Sequence, residues 1–327
     1  MYNITDIRDV HLELTSKCQA RCPMCPRRIS GGPMNPFVDL TEISLETFKK
    51  WFPVEFIKQL NSLFMCGNLG DPIIAKDCLE IFQYLRQVNT TMRLSMHTNG
   101  SARTVGWWHD LARANVKVTF GIDGTADTHS LYRIGTEYHS IIKNAKAFID
   151  AGGIAEWHML VFKHNEHEVD SCKALSEQLG FTKFTVKHTS RFKNNKFHVL
   201  DDDGKTINIL YPTERSNTLT KNVEFALQET SNIECKAQKY KQLYIAADGT
   251  VSPCCWLDFE WQLPNQENRI NYMDAVGYFP NLNKQTLLSI FESGYFKTIE
   301  DTWAVKPLIE CSKQCGKFDK LGEQFVS

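Results

Sequence analysis

Over the first two thirds of the chain, short runs rich in β-branched and aromatic residues alternate with stretches whose apolar positions recur at helical spacing. The strand-like runs fall at 10–14, 62–66, 92–96, 117–122, 155–162 and 183–187. Helical patterns fill the intervals. Ser44 can cap a helix that reaches Trp51, where Pro53 must break or restart it. The stretch 77–88 carries Leu79, Ile81, Phe82 and Leu85 on one face, and 103–113, 138–151 and 167–179 repeat the rhythm. Six β–α units in strict alternation predict a parallel sheet with right-handed crossovers, either doubly wound or curled into an open barrel. In both forms the function gathers at the carboxyl ends of the strands.

Near residue 201 the rhythm stops. Asp201-Asp202-Asp203-Gly204 reads as a polar turn, and a stretch rich in Asn, Thr, Ser and Glu follows as far as Glu234. This composition shift divides the chain into a large domain, 1–205, and a small one, 206–327. Within the second, Asp248-Gly249 between 243–247 and 250–252 predicts a hairpin, because Asp-Gly suits a two-residue turn. One helix is predicted at about 284–303.

Composition narrows the class. The 327 residues can bury a substantial core, and 42% hydrophobic with 23% charged residues excludes a disordered chain. With 37 Lys+Arg against 38 Asp+Glu, the net charge of −1 gives no global field to attract nucleic acid or an anionic membrane. The first ten residues lack a basic flank followed by an apolar stretch, and no run of about 18 apolar residues occurs, so a cytoplasmic protein is expected. Eleven cysteines then stand out, because clustered cysteines in a reducing compartment are more often metal ligands than disulfides.

Cys18, Cys22 and Cys25 lie on one loop directly after the first strand. Cubane iron–sulfur clusters normally take four thiolates, so three close cysteines leave one iron open to another ligand. The same three completed by a distant residue such as His11 would also suit zinc. Met65-Cys66-Gly67-Asn68-Leu69-Gly70-Asp71-Pro72 follows the second strand, and His97-Thr98-Asn99-Gly100 follows the third. The fourth ends in Gly121-Ile122-Asp123-Gly124, with Arg133 a short way beyond. A second cysteine set runs from Cys235 over thirteen residues to Gly249, over four more to Cys254, and closes with Cys311-x₃-Cys315. Cys255, adjacent to Cys254, would point to the opposite face of a strand, so one of the two is expected not to ligate. A structural Cys₄ zinc site fits the same spacing. Cys66 and Cys78 read as core thiols, and His164 with His167 as a solvated helix start. Lys187, His188 and Arg191 follow the sixth strand at its functional end, either touching substrate or forming a solvated basic loop.

The Cys-x₃-Cys-x₂-Cys loop after the first strand resembles that of the radical S-adenosylmethionine (SAM) superfamily, whose core is a partial (β/α)₆ TIM-like barrel. The resemblance implies that Cys18, Cys22 and Cys25 hold a [4Fe-4S] cluster whose fourth iron is chelated by SAM, and that reduction releases a 5′-deoxyadenosyl radical. Gly70, Asp71 and Pro72 resemble the motif that meets the methionine amino group, with Asp71 where the family usually has Glu. Thr98 and Asn99 resemble the segment near the ribose; Asp123 and Arg133 resemble groups that reach the SAM carboxylate, with Gly121 in place of the usual Ser. The late cysteines resemble the SPASM and twitch auxiliary-cluster domains, which implies a second, fully ligated [4Fe-4S] cluster on Cys235, Cys254, Cys311 and Cys315. A radical SAM enzyme that abstracts hydrogen from a peptide or small molecule is thus implied, with an electron donor such as flavodoxin or ferredoxin. The first strand starts within ten residues of Met1, so a peptide substrate is expected to need a separate binding partner. The competing class is a non-enzymatic redox carrier or zinc-stabilised binding module built on the same cysteines.

Overall fold

The computed structural model describes residues 3–226, 232–261 and 267–317. Strand β1 (Asp9–Leu12) leads through the cysteine loop to helices α1 (Leu45–Trp51) and α2 (Val54–Gln59). Ser44 caps α1 by accepting from Thr47 N, and Pro53 separates the two helices as expected. Then follow β2 (Ser62–Met65), α3 (Cys78–Val88), β3 (Arg93–Thr98), α4 (Val105–Arg113), β4 (Val116–Gly121), the short α5 (His129–Tyr132) and α6 (Tyr138–Asp150). Strand β5 (Ala155–Leu160), α7 (Val169–Leu179) and β6 (Lys183–Lys187) complete six parallel strands in sequential order. The fold class is therefore the expected α/β partial barrel.

Alternation along the strands divides the core in two. Leu94, Met96 and Thr98 on β3 are buried, as are Ala155, Trp157 and Met159 on β5, while Ser95, His97, Glu156 and His158 are half-buried. Opposite faces of each strand thus meet a dry helical layer and an accessible barrel interior. Trp108, Phe120, Phe148 and Trp157 fill the helical layer.

Three features depart from expectation. The polar turn after residue 200 lies inside an antiparallel hairpin of β7 (Phe197–Leu200) and β8 (Thr206–Leu210), closed by Asp201 Oδ1 accepting from Asp203 N and Lys205 N at 3.0 and 2.8 Å. Position 205 therefore falls between paired strands. Helix α8 (Glu214–Ala226) follows, where only a polar stretch was anticipated; residues 227–231 lie outside the described set.

In the C-terminal part, β9 (Asn232–Ile233) and α9 (Lys236–Lys239) precede β10 (Gln242–Ile245) and β11 (Val251–Ser252), the hairpin expected at Asp248-Gly249. Strand β10 also pairs parallel with β1, Asp9↔Gln242 through Leu12↔Ile245, so one eight-stranded sheet runs β11-β10-β1-β2-β3-β4-β5-β6. Helices α10 (Cys255–Trp261) and α11 (Glu267–Val276) come next. The single helix anticipated near 284–303 is two, α12 (Leu287–Glu292) and α13 (Tyr295–Val305), parted by Gly294 at φ +80°. Finally α14 (Ile309–Cys315) leads into β12 (Gly316–Lys317), which pairs with β9. Among the described residues no helix is long and apolar enough to cross a membrane.

Candidate iron–sulfur and S-adenosylmethionine site

The cysteine loop leaves β1 at the carboxyl edge of the sheet and is braced from three sides. Asn99, after β3, donates from Nδ2 to Cys18 Sγ at 3.6 Å and accepts at Oδ1 from Gln19 Nε2 at 2.8 Å. Arg133 Nη1 lies 3.9 Å from Cys22 Sγ, and Cys25 Sγ lies 3.9 Å from the Asn68 carbonyl in the loop after β2. The loops following β1, β2 and β3 and the segment after β4 therefore meet around three neighbouring thiols. Burial pushes the Cys18 thiol up to about 12, helped by the nearby Asp71, and Cys22 up to about 11. Thiols raised in this way are poor nucleophiles at neutral pH.

The turn 67–72 folds directly onto β1. A Cβ on Gly70 would lie 1.7 Å from the Thr15 carbonyl oxygen, so only glycine fits this approach. Glu13 holds the turn by accepting from Leu69 N and Gly70 N at 2.7 and 3.1 Å. Asp71 is 5% exposed, and its carboxylate is engaged within the protein: it accepts from Thr98 Oγ1 at 2.8 Å, Asn99 N at 2.7 Å and Ile73 N at 3.2 Å. Burial raises its pKa against the pull of those three donors. Thr98 and Asp71 thus tie the second loop to the third, while Pro72 opens the 3₁₀ turn that Asp71 caps.

Asp123 is fully buried. It receives Arg133 Nε at 2.5 Å on Oδ2 and Leu160 N at 2.6 Å on Oδ1. Gly121 makes room for this pair, because a Cβ there would lie 2.6 Å from Arg133 Nη2.

In the second set, Cys235 caps α9, Cys254 precedes α10, and Cys311 and Cys315 lie one turn apart on α14. Pairing of β9 with β12 carries Cys315 to Cys235: Glu234 N donates to the Cys315 carbonyl at 2.9 Å, and Lys236 N points at Cys315 Sγ at 3.4 Å. The Cys235 thiol hydrogen-bonds Cys315, which favours the thiolate of Cys315 and the protonated form of Cys235. Cys254 lies close enough to act on the charge of Cys235 and Cys311. Cys255 opens helix α10 instead of lying in a strand, so strand alternation does not divide the pair; its charged neighbours are Cys66, Asp258 and Glu13. Among the described residues no three His, Cys, Asp or Glu side chains are gathered at the spacing of a single metal ion. All seven cysteines offer soft thiol donors in buried or half-buried positions, a set that fits iron–sulfur chemistry. His11, the candidate fourth ligand of a zinc centre, is bound through Nε2 to the Cys66 carbonyl at 2.7 Å and rests between Phe64 and Tyr244.

Sequence reasoning passed over the group that joins the two parts. Tyr244 on β10 donates to Glu13 Oε2 at 2.7 Å and lies 3.2 Å from Asp258 Oδ2, while Asn68 Nδ2 reaches the Cys255 carbonyl at 3.0 Å. Burial, resisted by hydrogen bonds from Tyr244, Leu69 and Gly70, pushes Glu13 up to about 7. An acidic residue between Leu12 and Leu14, at the end of an otherwise apolar strand, was the available signal.

Residues 235–316 match the SPASM family model, an iron-sulfur cluster-binding domain. The chain superposes on Streptococcus suis SuiB bound to S-adenosylmethionine with a TM-score of 0.58 at 13% identity, covering 93% of this chain and 67% of that one. Native anSMEcpe with bound AdoMet and Kp18Cys peptide gives 0.58 at 15% identity, covering 94% and 88%. The chain shares the fold of these S-adenosylmethionine-bound structures, and its last quarter matches the SPASM domain. SuiB bound to its precursor peptide SuiA matches with a TM-score of 0.56 at 13% identity, covering 93% of this chain and 66% of that one. The SPASM match spans the region from just after β9 through α14 to the start of β12 and includes Cys235, Cys254, Cys311 and Cys315.

Proposed function

We propose that this chain binds SAM at a cluster held by Cys18, Cys22 and Cys25 and abstracts a hydrogen atom from a peptide. The observation that carries this reading is the braced corner in which Asn99 meets Cys18, Arg133 meets Cys22 and the Gly67–Pro72 turn meets Cys25. A [4Fe-4S] cluster with SAM on its open iron supplies, on reduction, a 5′-deoxyadenosyl radical. The chain's own residues orient the SAM. With the Asp71 carboxylate engaged by Thr98, Asn99 and Ile73, the Gly70 carbonyl takes the methionine ammonium. Arg133, its charge balanced by Asp123, presents its outer nitrogens to the methionine carboxylate, and Asn99 fixes the loop beneath the ribose. Cys235, Cys254, Cys311 and Cys315 would hold a second, closed cluster, which would supply an acceptor for the electron of an oxidised substrate; a flavodoxin or ferredoxin would be the reductant.

Peptide is favoured over a small molecule as substrate because SuiB and anSMEcpe, which share this fold, have both been seen with peptides bound. Anaerobic reconstitution followed by assay of 5′-deoxyadenosine tests the reading. The intact chain should cleave SAM reductively, and the variant with Cys18, Cys22 and Cys25 all changed to Ala should not. Cleavage by the triple variant refutes the assignment, and zinc with no cleavage in the intact chain restores the non-enzymatic alternative.

A further inference from the structure

The barrel interior is chemically lopsided. On the β1 and β10 side stand the buried carboxylates Glu13 and Asp258. Toward β5 and β6 a different row begins: ring centroids run from His11 to Phe64 at 4.9 Å, from Phe64 to His97 at 4.8 Å, and from His97 to His158 at 5.2 Å. Strand β4 lies between theirs, with Thr119 in register with His97 and Gly121 in register with His158. Both are half-buried on the face that lines the interior. Among the described residues neither imidazole has a hydrogen-bond partner, and the Thr185 hydroxyl, in register with His158, is also unpaired. Lys187, at the end of β6, acts electrostatically on both rings and has no acidic partner among the described residues. The acidic residue of this row, Glu156, is held by Lys117 at 3.2 Å. Free N–H donors and an uncompensated ammonium over an aromatic floor suit an anion, not a cation.

We infer that His97, His158 and Lys187 bind a carboxylate or phosphate group of the substrate inside the barrel. This rests on the radical SAM reading for the identity of the interior as a substrate chamber. With these cationic and N–H donor groups on this side, the substrate has one orientation: its anionic end lies toward β6, and the bond to be attacked lies nearer the cysteine loop. Accessible imidazoles would keep their positions as neutral donors until the anion arrives, and Lys187 would supply the charge.

The test is calorimetric titration of the cluster-loaded, SAM-saturated full chain with acetate and with inorganic phosphate at constant ionic strength. Saturable binding is expected, weakened at least about tenfold in Lys187→Met and in the double variant His97→Phe, His158→Phe, but kept within about threefold in Lys187→Arg. The affinity for SAM, titrated separately, should not follow these losses. Equal anion binding in all variants, or no saturable binding in the intact chain, overturns the inference. Loss of SAM affinity in parallel overturns it too, since the wall would then serve the SAM carboxylate. If anions bind as expected while 5′-deoxyadenosine never forms, the proposed reaction fails and the anion site survives.

Discussion

At the scale of single residues, Asp71 shows how a motif can be legible in place and misleading in detail. Its position after β2 is where the resemblance puts the SAM loop, yet its carboxylate braces Thr98, Asn99 and Ile73. Asp71→Ala strands those buried donors, so the substitution should lower stability by about 1–3 kcal/mol for each donor left unpaired, without SAM present. Urea unfolding of the cluster-free chain measures this; an unchanged midpoint would free the carboxylate for the ligand. Glu13 carries a pH dependence of definite sign. Burial raises its pKa from 4.5 to about 7 in the folded state, so folding favours its protonated form. Its contribution to stability is full below about pH 4.5, falls as the pH rises to about 7, and is flat above. In Glu13→Gln that decline should disappear from the pH profile of unfolding free energy; a profile identical to the parent's would show that Glu13 does not titrate in this window.

At the scale of elements, what could be read from the chain followed from how cleanly each element separates apolar from polar positions. Ser44, Pro53 and the β6 strand at 183–187 were placed to the residue, because a cap, a helix breaker and a short bounded strand are local signals. The β7–β8 hairpin was not, because half-polar strands flank an Asp-rich turn that looks like a linker. Its role explains its pattern. Val199 and Leu210 pack with Cys22, Met24, Tyr132, Phe162 and Phe192 beneath the cluster loop, and Leu200 N donates to the Ser30 carbonyl at 2.9 Å. Only the inward residues need to be apolar. Leu210→Ala should therefore cost about 2–5 kcal/mol and loosen the loop that holds Cys18, Cys22 and Cys25. The rate of iron release from the reconstituted protein to a chelator would report it: faster loss in the variant is expected, and an unchanged rate would detach the hairpin from the cluster loop.

At the scale of the whole molecule, the pairing of β10 with β1 was invisible in the sequence, since parallel partners more than two hundred residues apart leave no local signature. It makes the sheet continuous from the auxiliary region through the barrel, with Tyr244 hydrogen-bonded to Glu13 across the join. A chain cut after residue 205 would bare the β1 edge and divide the β7–β8 hairpin; it should aggregate or fail to give a cooperative unfolding transition, whereas a soluble, cooperative fragment would show the barrel to be independent. The same continuity gives the two proposed clusters separate ligands within one framework. The central claim is that they differ: one open to SAM on Cys18, Cys22 and Cys25, the other closed by Cys235, Cys254, Cys311 and Cys315. Electron paramagnetic resonance of the dithionite-reduced chain, recorded with and without SAM, tests this most directly. Two reduced-cluster signals are expected, of which SAM shifts one; the shifted signal should be missing when Cys18, Cys22 and Cys25 are Ala, and the other missing when Cys311 and Cys315 are Ala. A single signal, or two signals that both ignore SAM, would contradict the account.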